Sequence, residues 1–96
     1  MVCMRYLISG RVQGVFYRAS AQQQASKLAL RGWVRNLTDG RVELLACGNP
    51  SALKELEKWL QIGPDYAKVS NIEVITETPK ALAEIFEVRP TSSPSE

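Results

Sequence analysis

Histidine is missing from this chain of 96 residues, and several kinds of chemistry are excluded with it. Histidine is the side chain whose ordinary pKa lies nearest to neutral pH. Without it no Ser–His or Cys–His nucleophile can form, and general acid–base catalysis near neutral pH is hard to build. The acids and the two cysteines also lack the spacing of metal ligands, so we do not expect a metal site.

Long apolar runs are missing as well. No segment approaches the roughly 18 consecutive apolar residues of a transmembrane helix, and residues 1–5 lead into a strand-like run rather than a signal peptide. We therefore expect a cytoplasmic protein without a membrane partner. Cysteine is scarce. Cys3 and Cys47 could in principle pair, but in the cytoplasm we expect two reduced thiols that pack as small apolar side chains.

The composition is that of one ordinary globular domain, with 45% apolar and 23% charged residues. The net charge of +2 is unevenly distributed along the chain. Residues 1–48 carry seven basic and two acidic side chains, whereas residues 49–96 carry five basic and eight acidic ones. The basic first half favours a small anionic ligand in that half. An uneven but merely solvated surface is the alternative.

The spacing of apolar residues predicts five strands and two helices. The strands are expected at residues 4–9, 33–37, 41–47, 69–78 and 85–89. The first helix is expected over residues 18–30, and the second begins at Pro50 with Asn49 as its cap. The order βαββαβ, with one more short strand, predicts an α+β fold of the ferredoxin-like kind, a mostly antiparallel sheet with two helices on one face. Residues 1–90 form one domain in this prediction, and residues 91–96, rich in proline and serine, form a disordered tail.

The first of two informative segments runs from Gly10 to Arg18, between the first strand and the first helix. Gly14 lets the backbone turn tightly and approach a ligand. The amides of residues 14–18 include the unpaired first-turn donors of the helix, which suit a phosphate, and Arg18 adds a planar fork for two phosphate oxygens. Residues 15–17 cannot cap the helix, although Ser20 could cap a later start. A tight turn beside a surface arginine is the alternative.

The second segment runs from Gly32 to Gly40 and places Asn36 at the end of the second strand, before an Asp-Gly turn. The amide oxygen of Asn36 can accept a hydrogen bond from water while another group orients the same water. In the predicted fold this strand end can lie beside the loop that follows the first strand. A turn asparagine bonded to its own backbone is the alternative.

An anion cradle and a water-holding amide, without a titrating side chain, suit one class of phosphate compound. An acyl phosphate releases a carboxylate whose conjugate acid has a pKa of about 4, so the departing oxygen needs no proton. Phosphoryl transfer then depends mainly on positioning and charge stabilisation. We therefore expect acyl phosphates as substrates and a poor reaction of ordinary alcohol esters.

Both segments closely resemble the signatures of the acylphosphatase family. They read ISGRVQGVFYR over residues 8–18 and GWVRNLTDGRV over residues 32–42, and the resemblance covers about residues 4–89. It implies a small cytosolic hydrolase without a cofactor, in which Arg18 binds the phosphate and Asn36 orients the attacking water. Tyr17 stands where phenylalanine is common, a mild departure if its hydroxyl reaches water, and Pro90 stands where many members end in an aromatic residue. The backbone cradle implied by the resemblance comprises Gln13, Gly14, Val15, Phe16 and Tyr17.

Two other functions are compatible with the sequence. A nucleic-acid-binding module would suit the fold and the basic half, but the third predicted strand lacks the exposed aromatics of RNA-binding domains. A module that binds phosphate without turning anything over is the second. The favoured function gives a small acyl phosphate and inorganic phosphate as partners, with no nucleic acid, and we expect a monomer.

Overall fold

Two helices and five strands make up the part of the chain that the computed structural model describes, namely residues 1–79, 82 and 84–94. In one sheet the strands lie in the order β4-β1-β3-β2-β5. The pairs β1–β3, β1–β4 and β2–β3 are antiparallel, and β2–β5 is parallel. The predicted ferredoxin-like α+β fold is therefore confirmed. The elements are β1 (Val2–Arg11), α1 (Tyr17–Lys27), β2 (Arg31–Asn36), β3 (Val42–Gly48), α2 (Pro50–Leu60), β4 (Lys68–Glu77) and β5 (Phe86–Val88).

The hydrophobic core lies between one face of the sheet and the two helices. From the sheet it takes alternate residues, such as Tyr6 and Ile8 of β1, and from α2 the buried leucines at positions 53, 56 and 60. Asn49 caps α2 as predicted, because its side-chain oxygen accepts a hydrogen bond from the backbone N–H of Ser51 at 3.0 Å. Neither described helix is long and apolar enough to cross a membrane.

Helix α1 ends three residues before its predicted boundary. Its last residue is Lys27, and Ala29 adopts a left-handed backbone with φ 56°. The N–H of Leu30 then reaches back to the carbonyl of Ala25 at 3.0 Å, and the side chain of Leu30 is buried. A left-handed residue after the last turn is usually glycine, so an alanine at position 29 does not mark the end of the helix in the sequence.

Charged side chains cover the face of the sheet that has no helices. The buried carboxylate of Glu43 on β3 accepts hydrogen bonds from Arg5 on β1 at 2.9 Å and from Arg35 on β2 at 2.7 Å. The guanidinium groups of Arg35 and Arg89 lie 4.6 and 5.0 Å from the ring of Trp33. Residues 42–47 of β3 are buried on both faces of the sheet.

The prediction of two reduced cysteines is wrong for this structure. Cys3 and Cys47 form a disulfide between β1 and β3, with their Cα atoms 4.0 Å apart. The two residues are direct cross-strand partners in the register of this antiparallel pair. Residues 44 positions apart become neighbours only through that register, which the sequence alone does not specify.

The chain continues beside β2 after β5 has ended. The N–H of Arg89 donates to the carbonyl of Val34 at 2.8 Å, and the N–H of Ser92 donates to the carbonyl of Asn36 at 3.0 Å. The carbonyl of Ser92 in turn accepts from the N–H of Thr38 at 3.0 Å. Residues 95 and 96 lie outside the described residues, and both the domain boundary at residue 90 and the disordered tail stay predictions.

Candidate active site

The loop of residues 12–16 joins β1 to α1 and contains two left-handed residues. Gly14 has φ 73° and Phe16 has φ 63°. A Cβ on Gly14 would meet no atom within 4 Å, so glycine is needed there for its backbone conformation and not for space. Left-handed residues that alternate with ordinary ones turn successive N–H groups toward one side, which is the geometry of backbone anion sites.

Helix α1 begins directly after this loop without a side-chain cap. Phe16 occupies the cap position, no side chain bonds to the first turn, and the first turn contains no acidic residue. The N–H of Ser20 donates to the carbonyl of Phe16 at 3.1 Å, so Ser20 lies inside the helix and does not cap it. The amides of residues 17–19 have no partner within the helix, and the helix dipole places partial positive charge at this end.

One cavity of about 290 Å³ connects this helix start with the end of β2. The structure thus brings Arg18 and Asn36 together, as the sequence predicted for the end of the second strand. The Nη1 atom of Arg18 lies 3.4 Å from the carbonyl oxygen of Arg89, a long contact. The residues that line the cavity are Val12, Gly14, Phe16, Tyr17, Arg18, Ala19, Asn36 and Val88.

Asn36 is the last residue of β2, and its side-chain oxygen is buried without a hydrogen-bond partner among the described residues. Buried acceptors are usually paired, so this oxygen is an exception among the described residues. The alternative of a self-capping turn asparagine does not hold. Asp39 performs that role by accepting from the N–H of Arg41 at 3.1 Å, and its hydrogen bonds with Arg41 lower the pKa of the Asp39 carboxyl.

Gln13 contributes more than its backbone, which is all that the sequence suggested. Its side-chain Nε2 donates to the carbonyls of Leu37 at 2.8 Å and of Arg41 at 2.9 Å. These two bonds tie the loop of residues 12–16 to the hairpin that carries Asn36. Neither Gln13 nor Val15 is among the residues that line the cavity. In the sequence, the one sign of this role is that Gln13 is the only polar side chain in the loop of residues 12–16.

The side chain of Tyr17 is buried and its hydroxyl does not reach water, so the condition for a mild departure from phenylalanine is not met. The hydroxyl donates to the carbonyl of Leu60 at 2.6 Å, and the ring lies 5.5 Å from that of Trp59. Burial raises the pKa of the phenol well above its ordinary value. A Cβ at Gly63 would lie 2.8 Å from the same ring, so only glycine fits there. Tyr17 therefore anchors the start of α1 against α2.

Comparison with known proteins shows which family this chain resembles. The sequence model of the family described as Acylphosphatase matches residues 4–88. The chain belongs to the acylphosphatase family. Its sequence is 49% identical over 90 residues to the acylphosphatase of Nitrosococcus oceani, an alignment that covers 93% of this chain and 99% of the relative. It is therefore an acylphosphatase-type hydrolase.

Solved structures agree with the sequence relatives. The acylphosphatase from Bacillus subtilis superimposes with a TM-score of 0.89 at 37% identity, over 93% of this chain and 99% of that one. The acylphosphatase from Coxiella burnetii gives a TM-score of 0.87 at 42% identity, over 92% of each chain. The resemblance recognised in the two signature segments is thus confirmed over nearly the whole chain.

Proposed function

We propose that this chain hydrolyses the carboxyl–phosphate bond of small acyl phosphates to a carboxylate and inorganic phosphate. The observation that carries the proposal is one cavity that Arg18, Asn36 and the uncapped start of α1 line together. Family membership supports the same substrate class.

In this mechanism the phosphate binds at the loop of residues 12–16. The backbone N–H groups of Gln13, Gly14, Val15, Phe16 and Tyr17 donate to its oxygens, helped by the positive end of α1. The guanidinium of Arg18 adds paired, charge-assisted hydrogen bonds. Its present contact with the Arg89 carbonyl, at 3.4 Å, is weak enough to be given up for a charged ligand.

Asn36 then orients the attacking water. Its oxygen, which has no partner among the described residues, accepts a hydrogen bond from the water, and this directs a lone pair of the water oxygen at phosphorus. The new P–O bond forms as the bond to the acyl oxygen breaks, and that electron pair leaves with the carboxylate. A carboxylate with a conjugate-acid pKa of about 4 needs no proton, so the water protons pass to the phosphate product and solvent.

The lining residues fit a mechanism without a metal or other cofactor. They include no carboxylate, imidazole or thiol, which are the groups that hold most protein-bound metals. Arg18 and Tyr17 are the lining residues with titratable side chains. Since the phenol of Tyr17 is bonded to Leu60, positioning and charge stabilisation remain as the means of catalysis.

The test is hydrolysis of benzoyl phosphate in EDTA, beside p-nitrophenyl phosphate as an ester. We expect rapid loss of the acyl phosphate only. Arg18→Ala should lower kcat/KM by about 10³-fold and abolish inhibition by phosphate. Asn36→Ala should lower kcat by about 10²-fold and keep that inhibition. Asn71→Ala, on strand β4, is the matched control.

Four outcomes would contradict parts of the proposal. Strong inhibition by EDTA would oppose the metal-free mechanism, and near-normal turnover by Arg18→Ala would oppose its role. Equal loss of turnover and phosphate inhibition in Asn36→Ala would assign Asn36 a structural role. Phosphate binding without turnover in the wild type would favour the anion-binding module.

We also propose a cytoplasmic monomer formed by a domain of residues 1–90, with neither a nucleic-acid nor a membrane partner. The Cys3–Cys47 disulfide counts against the location, because disulfides persist mainly in oxidising compartments. Thiol labelling in freshly lysed cells tests whether Cys3 and Cys47 are reduced, as a cytoplasmic location predicts, and light scattering after gel filtration tests the monomer.

A further inference from the structure

We propose that Phe16 and Val88 select the acyl half of the substrate, so that the enzyme prefers acyl phosphates with apolar, particularly aromatic, acyl groups. This inference rests on the proposed function and concerns the part of the substrate that the phosphate cradle does not hold. We call these two side chains the apolar rim.

The apolar rim shares its cavity with the phosphate-binding groups. Phe16 is 80% exposed and Val88 is 41% exposed, and both line the cavity that Arg18 and Asn36 line. They come from separate elements, the loop of residues 12–16 and strand β5. An apolar group held in this cavity would cover apolar surface that otherwise faces water, which is favourable.

The fold gives no reason for a phenyl ring at position 16. Its backbone has φ 63°, a conformation that is unfavourable for a bulky residue and comes easily to glycine or asparagine. Its side chain is not part of the hydrophobic core. Asparagine would also cap α1 better than phenylalanine does. Strain of this kind concentrates at functional sites. Asparagine would fit the backbone at position 16 but has no aromatic ring, so the ring itself is the feature that needs a functional explanation.

Other exposed apolar side chains do not share this placement. Ile62, Tyr66 and Ile85 are 72%, 76% and 70% exposed, and none of them lines the cavity. Tyr66 is therefore a suitable control, an equally exposed aromatic outside the site.

The test compares two substrates with the same reacting group. The quantity measured is the ratio of kcat/KM for benzoyl phosphate to kcat/KM for acetyl phosphate, in which any general damage to the phosphate cradle cancels. Phe16→Asn keeps a residue suited to the left-handed backbone but removes the ring, and should lower the ratio about 3- to 10-fold, the range of one aromatic contact. Phe16→Tyr retains a ring and should keep the ratio within about twofold of the wild type, as should Tyr66→Ala.

Val88→Thr provides a second, independent variant. Threonine has the shape of valine with a hydroxyl in place of one methyl group, so it should lower the same ratio even if Phe16→Asn does not fold. An unchanged ratio in both Phe16→Asn and Val88→Thr, or an equal fall in Phe16→Asn and Phe16→Tyr, would overturn the inference. If the wild type hydrolyses neither substrate, the proposed function itself fails, and the inference fails with it.

Discussion

Replacing Glu43 by glutamine should destabilise the protein strongly, although the residue lies outside the cavity. Its side chain is 3% exposed, and its carboxylate joins three strands, because Arg5 lies on β1 and Arg35 on β2. The nitrogens of Arg5 and Arg35 approach its two oxygens at 2.9 and 2.7 Å. Glutamine keeps the shape of the side chain but presents an N–H₂ group to one of the two guanidinium groups. Because a guanidinium can only donate hydrogen bonds, that pair of groups cannot bond.

The expected loss follows from what remains unpaired. Removing one partner of a buried ion pair costs about 3–5 kcal/mol. The arginines are 26% and 20% exposed, and Arg5 keeps its bond to Glu77 at 2.7 Å, so we expect the lower end, about 3 kcal/mol. Domains of this size are stable by about 5–15 kcal/mol. A loss of this size corresponds to a fall in Tm of roughly 12–24 °C.

Urea unfolding followed by tryptophan fluorescence measures this directly. The midpoint should fall while the slope m stays constant, since the surface exposed on unfolding is the same. Glu55→Gln is the control, because Glu55 is 62% exposed and lies 3.7 Å from Lys58. Such a surface pair contributes about 0–0.5 kcal/mol. A free energy of unfolding for Glu43→Gln within about 0.5 kcal/mol of the wild type would refute the argument.

Three further perturbations follow from the contacts described above. Gln13→Ala removes both side-chain bonds to the hairpin, so kcat/KM for benzoyl phosphate should fall about 10-fold while the fold persists by circular dichroism; unchanged kinetics would show that these bonds do not position the loop. Deleting residues 91–96 removes the two backbone bonds of Ser92, and should cost about 1–2 kcal/mol of unfolding free energy, whereas no loss is expected of a disordered tail. Burial raises the phenol pKa of Tyr6 and Tyr17 above the ordinary 10.0, so stability should be intact below that pH and fall above it, where only the unfolded chain ionises. Tyr17→Phe should flatten this fall in urea titrations at increasing pH, and an equally steep fall would assign it to other groups.

The fold was predictable because its signals are local. Asn49 and Pro50 mark the start of α2, and the Asp-Gly turn marks the β2–β3 hairpin. The order of elements then leaves few arrangements. The two segments that carry Arg18 and Asn36 were also recognisable, because each combines an element boundary with a distinctive residue.

What the sequence did not disclose depends on register between distant strands. Glu43 reads as a solvent-facing residue of an alternating strand until Arg5 and Arg35 are placed on either side of it. The Cys3–Cys47 pair requires the alignment of β1 with β3. The side chain of Gln13 similarly finds acceptors 24 and 28 residues away. Contacts of this kind follow from tertiary structure and have no local signature.

The left-handed turns at Gly14 and Phe16 divide recognition between main chain and side chain. In the proposed site the phosphate is held largely by N–H groups, which every residue except proline possesses. Exchanging the side chain at position 16 therefore leaves those donors in the chain and alters what faces the acyl group. Single substitutions at position 16 could therefore change which acyl groups are accepted, while the backbone N–H groups that bind phosphate are kept.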